Sequence, residues 1–347
     1  MHPLAGLTPW VSQCRLKALM AKRQVNSESA PVVWLLTDNK AGHRNQLKGL
    51  GNRLRVLAGA SLHWLEASTV NVPLWRALTG IPPGLPDDLP HPDLIIAAGS
   101  GTHRLLLSLR RLRGSRTLVI MKPAFPTGWV DAAIIPAHDS PRPNRNVFIS
   151  QGVINTITPL ARITDKPEAL ILIGGPSRHF KWDDDVVHEQ VTGLISTYPQ
   201  WRWTISDSRR TPTVLHARLA EMANLKVTVV NSQQTHENWL NHQLAASRAV
   251  WITPDSMSMV CEAITSNVPT GVLTLTPSRG SRVANGVGQL VQSGHLAEWS
   301  DHAAVMTGNK NHHPVLWEAD RAARWVLAKR LLPKTHQTGY PEIGAAG

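Results

Sequence analysis

Short apolar runs of strand length, each leading into a polar turn and then a helical stretch, recur along most of this chain and limit what it can fold into. The first run spans 32–36. It is followed by a Gly-containing turn and by Leu47, Leu50, Leu54 and Leu57, whose steps of three, four and three put them on one helical face. Runs at 94–98, 117–121 and 132–136 repeat the theme. After a polar, Pro-containing stretch at 155–167 it restarts, with strands expected at 169–173, 201–205, 227–230, 249–252 and 270–273. Helices are expected between them at 185–197, 213–223, 237–246, 256–266 and 284–294, and a last one at 315–332. Strands that alternate with helices form βα units on a parallel sheet. The chain is therefore expected to be α/β, with an N-terminal domain over 31–160 and a C-terminal domain over 166–330. A cleft between two such domains is where ligands bind. Residues 74–92, rich in Pro and Gly, read as a long excursion. Residues 1–30 read as a leader without a domain fold, and 333–347 as a loose tail.

The ligand is expected to be an anion. Lys and Arg number 36 against 24 Asp and Glu, a net charge of +12. Nucleic acid fits poorly, because there is no zinc-finger, basic-zipper or aromatic RNA-binding pattern. Nucleotide-like molecules and an anionic lipid surface remain. Cys14 and Cys261, the two cysteines, match no metal or redox spacing, so a reducing compartment and no cysteine-held metal are expected. No apolar run reaches the ~18 residues of a membrane span.

Four turns carry the candidate chemistry, each where a strand hands over to a helix and backbone amides are free. In the first, TDNKAGHRNQ (37–46), Gly42 lets backbone approach a ligand, His43 is a candidate general base and Asp38 its orienting partner. In the second, GGPSRHFKW (174–182), Gly174, Gly175, Ser177 and Arg178 make a phosphate cradle without a Walker pattern. The acidic triplet 183–185 that follows suits a helix N-terminus. The third, SDSRRTP (206–212), offers Arg209 and Arg210 to phosphate oxygens. In the fourth, TPDSMSMVCEA (253–263), Asp255 is a candidate donor-binding residue, with a helix cap as the alternative, while Ser256 and Ser258 can donate to a diphosphate. Glu262, on the same helical face as Ser258, can accept both hydroxyls of a ribose.

Together these four stretches resemble the mitochondrial-fission "elongated mitochondria" family and its bacterial relatives, over about residues 32–330. The family is similar to glycosyltransferases of the GT-B fold, two Rossmann-like domains facing across a cleft. The resemblance implies a cytoplasmic transferase that moves a sugar from a nucleotide-sugar donor without a metal or other cofactor. It leaves a lipid-linked acceptor at the inner face of the membrane as a candidate partner. A plant relative is described as a fission factor acting through a dynamin-related protein, which implies a non-enzymatic adaptor as the alternative. A sugar-nucleotide epimerase on the same fold would share the donor site. The sequence is also similar, more distantly, to the peptidoglycan lipid-intermediate N-acetylglucosaminyltransferase. Gly42-His43, Gly174-Gly175 and Glu262-Ala263 look like counterparts of its phosphate turns and ribose-binding helix. Asn285 and Gln289 fall where that enzyme contacts its donor. Ala41 replaces the first of its paired glycines.

Overall fold

The computed structural model describes residues 30–308 and 315–333; all but the last residue of the expected leader, and all but the first residue of the tail, lie outside them. The first domain carries β1 (Val32–Thr37), α1 (Ala41–Ala58), β2 (Ser61–Glu66), α2 (Leu74–Thr79), β3 (Leu94–Ala98), α3 (His103–Leu109), β4 (Arg116–Ile120), β5 (Ala132–Pro136) and β6 (Val147–Ser150). The second carries β7 (Glu168–Leu172), β8 (Phe180–Lys181), α4 (Asp184–Thr197), β9 (Arg202–Ser206), α5 (Thr213–Glu221), β10 (Val227–Val230) and α6 (Trp239–Ala246). It continues with β11 (Ala249–Ile252), α7 (Met257–Thr265), β12 (Thr270–Val272), β13 (Thr276–Pro277), α8 (Arg282–Gln292), α9 (His302–Thr307) and α10 (Glu318–Ala328).

Two parallel sheets result, in the orders β2-β1-β3-β4-β5-β6 and β10-β9-β7-β11-β12, with a short antiparallel β13-β8 pair formed within the second domain. The central strands are apolar on both faces because helices cover both faces of each sheet. In β1, Val33 and Leu35 pack on α1 and α10, whereas Trp34 and Leu36 point through the sheet toward α2 and α3. β2 and β6 were not expected from the sequence. They are the edge strands: in Ser61–Glu66 only Leu65 is buried, and β6 offers an apolar run of just three residues, each half-buried, against five in the central strands β3 and β5.

Residues 155–167, read as a linker, begin as packed structure. Ile154 and Ile157 are buried. Asn155 donates to Thr265 Oγ1 of α7 at 3.1 Å, and its carbonyl lies against Gly49 of α1, where an added Cβ would stand 2.2 Å away. The crossover therefore grips both domains. α10 returns to the first domain: Ala319, Ala322, Ala323 and Val326 complete its core, and Arg53 of α1 pairs with Asp320 at 2.5 Å. Among the described residues, no helix is long and apolar enough to cross a membrane.

Candidate functional site

The turns at the C-terminal ends of the first sheet's strands meet the turns and helix starts of the second. On the first side, Asp38 follows the end of β1 and α1 begins without a side-chain cap, so its first amides are open. His43 Nδ1 lies 2.8 Å from Asp38 Oδ1. With the carboxylate accepting from Nδ1–H, Nε2 is left as the nitrogen able to accept a proton. The pair is held from behind by the turn after β3. Gly99 has φ 90°, and a Cβ there would stand 2.2 Å from His43 Nδ1; one at Gly101 would stand 2.9 Å from the Asp38 Cβ. Where a side chain on Gly42 would stand, nothing lies within 4 Å, so packing does not require this glycine.

Two further histidines enter the cleft that sequence reasoning did not single out. His103 opens α3 and sits near Asp38 and His43. Burial holds its imidazole below the usual range, the Asp38 charge opposing and His43 adding to the shift. Its ring meets Phe125 edge-on at 5.0 Å. His138 follows β5. Burial lowers it too, with Asp139 opposing and Arg282 and His179, both from the second domain, contributing. Asp139 pairs with Arg282 of α8 at 2.6 Å, and His138 packs on Gly286 of the same helix. Both histidines lie just past the ends of parallel strands, and that position was the available signal.

On the second side the structure separates the expected donor residues into two groups. The first is engaged within the domain. Gly174 and Gly175 give their amides to Thr253 Oγ1 at 2.8 Å and Asp255 Oδ2 at 3.2 Å. A Cβ on Gly174 would stand 2.2 Å from the Asp255 carboxylate, and one on Gly175 2.0 Å from the Arg210 carbonyl oxygen. Arg210 donates to the carbonyls of Gly175 and Pro176 and pairs at 2.5 Å with Asp255, whose side chain is fully buried. Ser208 and Thr211 donate to the Gly174 carbonyl. The 174–175 and 206–212 turns are thus clamped on Asp255, which does not act as the helix cap. Ser256 takes that position, accepting from the Met259 amide. Ser177 accepts from the His179 amide at 3.2 Å. In the triplet, Asp183 caps α4, accepting from the Asp185 and Val186 amides.

The second group is unspent. Arg178, Arg209, Asn285 and Gln289 are exposed and Ser258 is half-buried. Among the described residues none of these five side chains makes a hydrogen bond or ion pair. His179 binds Ser281 Oγ at 3.2 Å; burial lowers it first, and the charges of Arg178, Arg282 and Arg210 lower it further.

Glu262 closes the floor. Asn45 of α1 donates to its Oε1 at 2.6 Å, and Thr156 of the crossover donates to Asn45 Oδ1 at 3.0 Å. Burial pushes the Glu262 carboxyl up to about 7, the Asn45 bond pulling the other way. Asn45 and His43 both lie in the first turns of α1, two residues apart. Sequence reasoning quoted Asn45 within its motif without a role.

The chain matches the family described as Mitochondrial fission ELM1 over residues 41–330. No curated protein matches it. Among solved structures it is similar to the UDP-GlcNAc 2-epimerase of Neisseria meningitidis, at 11% identity and TM-score 0.53, covering 86% of this chain and 98% of that one. It is similar to the UDP-GlcNAc 2-epimerase of Methanocaldococcus jannaschii at 12% identity and TM-score 0.51, covering 86% and 99%. It is also similar to the MurG of Acinetobacter baumannii at 13% identity and TM-score 0.48, again covering 86% and 99%. The architecture is the GT-B fold: two α/β domains with parallel sheets facing across a cleft.

Proposed function

The chain belongs to the mitochondrial fission ELM1 family, and on that premise we propose that it binds a nucleotide-sugar donor in the interdomain cleft and transfers the sugar to an acceptor without a metal. The observation that carries the reading is the Asn45–Glu262 hydrogen bond, which joins the start of the helix bearing His43 to the helix bearing the candidate ribose carboxylate. In this reading Glu262 exchanges its Asn45 partner for ribose hydroxyls. The diphosphate lies over the N-terminus of α7, where Ser258 and the helix amides meet it, with Arg178 and Arg209 as mobile cations. Asn285 and Gln289, on the exposed face of α8, contact the sugar-nucleotide. Arg210 and Asp255 serve the site indirectly, by holding its two turns together.

The acceptor hydroxyl enters from the first domain. His43 Nε2 takes its proton while Asp38 stabilises the resulting imidazolium, the oxygen attacks the anomeric carbon, and the nucleoside diphosphate leaves. Half-buried His103 beside them, whose imidazole burial holds below the usual range, leaves the new positive charge to settle on His43. The Neisseria meningitidis structure holds UDP-GlcNAc, which makes UDP and UDP-GlcNAc the first compounds to try.

A thermal-shift screen against nucleoside diphosphates and nucleotide sugars tests the reading. A ligand that binds the folded state raises the melting temperature by mass action. No shift with any nucleotide would favour the adaptor reading, in which the fold serves as a recruitment surface. Conversion of a bound UDP-sugar to its 2-epimer, with no acceptor present, would favour the epimerase.

A further inference from the structure

α2 presents an apolar face to solvent. Leu74 is 57% exposed, Trp75 53% and Leu78 53%, while Ala77 faces inward; Ile81 just beyond the helix is 45% exposed and Trp129 41%. These side chains form one surface. Arg110 of the α3 end donates to the Leu78 carbonyl at 2.6 Å, and its guanidinium stands 5.5 Å over the Trp129 ring. Arg76 lies 5.0 Å over Trp75, and the aliphatic stem of Arg111 fills the space beside Gly80. Basic side chains outnumber acidic ones around the patch, although exposed Asp87 and Asp88 follow it directly and Asp131 pairs with Arg116. Residues 73–86 and 103–116 contain Arg76, Arg104, Arg110, Arg111, Arg113 and Arg116 and no Asp or Glu. Contiguous exposed apolar surface marks an interaction site. Tryptophan and leucine ringed by arginine stems suit a medium that is apolar below and anionic above.

We infer that this face, α2 with Ile81 and Trp129, docks the protein on an anionic lipid bilayer. Trp75, Leu78 and Trp129 enter the boundary between headgroups and acyl chains, and the arginines pair with lipid phosphates. The docking goes beyond the donor-site reading and does not depend on it. One consequence does: Trp129 stacks on Phe125 at 6.4 Å, and Phe125 meets His103, which neighbours His43 and Asp38. An aromatic strip thus runs from the docking face toward the candidate base, the direction from which a hydroxyl carried on a membrane lipid would arrive.

Cosedimentation of the full chain with vesicles tests the docking. It should bind vesicles of equal parts phosphatidylglycerol and phosphatidylcholine, and bind pure phosphatidylcholine much more weakly. The Trp75→Ser/Leu78→Ser variant should lose about tenfold or more in partitioning, because each side chain contributes substantial transfer free energy. Arg104→Gln/Arg111→Gln should also weaken binding and flatten its salt dependence. These side chains are exposed, so both variants should keep the wild-type melt and the wild-type response to nucleotide. That nucleotide response reports on the donor site whatever the vesicles do. Unchanged partitioning of Trp75→Ser/Leu78→Ser, or no binding of the wild type to anionic vesicles, would overturn the inference. So would a wild-type dimer in solution that Trp75→Ser dissociates, since the face would then belong to a second copy.

Discussion

Asn45 and Glu262, 217 residues apart in sequence, share a 2.6 Å hydrogen bond that ties the first domain's leading helix to the second domain's α7. The bond spans the domain boundary, and it opposes the burial that moves the Glu262 carboxyl toward neutral pH.

The pH dependence has a definite sign. Burial raises the Glu262 carboxyl from 4.5 to about 7, so between those values the folded protein holds a proton that the unfolded chain has released. This group's contribution to stability therefore falls as pH rises through that window. Between about pH 5 and about pH 8 Glu262 contributes a decline to the melting temperature, against the rise that His103, His138 and His179, all lowered by burial, contribute over the lower part of that range. Glu262→Gln, which keeps the shape and cannot ionise, should flatten this part of the decline. Equal slopes for the two proteins would remove Glu262 as its source.

Gly99→Ala should act on two counts. A φ of 90° disfavours any L side chain, and the new Cβ would stand 2.2 Å from His43 Nδ1. The expected cost is about 1–3 kcal/mol in chemical denaturation. The imidazole should also be displaced, seen as an altered His43 signal in NMR. A variant as stable as the wild type, with an unmoved His43, would contradict the packing of this turn.

The two adjacent arginines should separate. Arg210→Ala leaves the buried Asp255 carboxylate without its cation and should cost stability by roughly 1–3 kcal/mol with no ligand present. Arg209→Ala, at an exposed side chain, should leave the melt within about 0.5 kcal/mol and weaken nucleotide binding alone. Equal loss of stability in both would show that the 206–212 turn is not divided in this way.

His43→Ala should keep nucleotide affinity and slow sugar transfer by roughly 10²–10⁴-fold, the scale of a lost general base. Transfer at the wild-type rate would take the base role from His43.

The alternation of apolar runs and turns carried most of the fold, because central strands of a covered parallel sheet are apolar on both faces. Val227–Val230 and Ala249–Ile252 could be bounded to the residue. Edge strands β2 and β6 lack that signal, and the crossover at 155–167 looked polar because Asn155 and Thr156 spend their polarity on partners more than a hundred residues away. The site was legible as turns at strand ends, and so was the His43–Asp38 pair, five residues apart. The partner of Glu262 was not, since nothing local to 253–263 points to Asn45. The paired glycines at 174–175 were ambiguous in the same way: closeness to a phosphate and closeness to Asp255 demand the same residue.

The most direct test of the nucleotide-sugar reading is titration calorimetry of the best-binding nucleoside diphosphate against wild type and Glu262→Ala. The account expects the wild type to bind and the variant, folded by circular dichroism, to bind about 1–3 kcal/mol more weakly, the scale of hydrogen bonds to a charged group. Undiminished affinity in a folded Glu262→Ala protein, or no binding by the wild type to any nucleoside diphosphate, would contradict it.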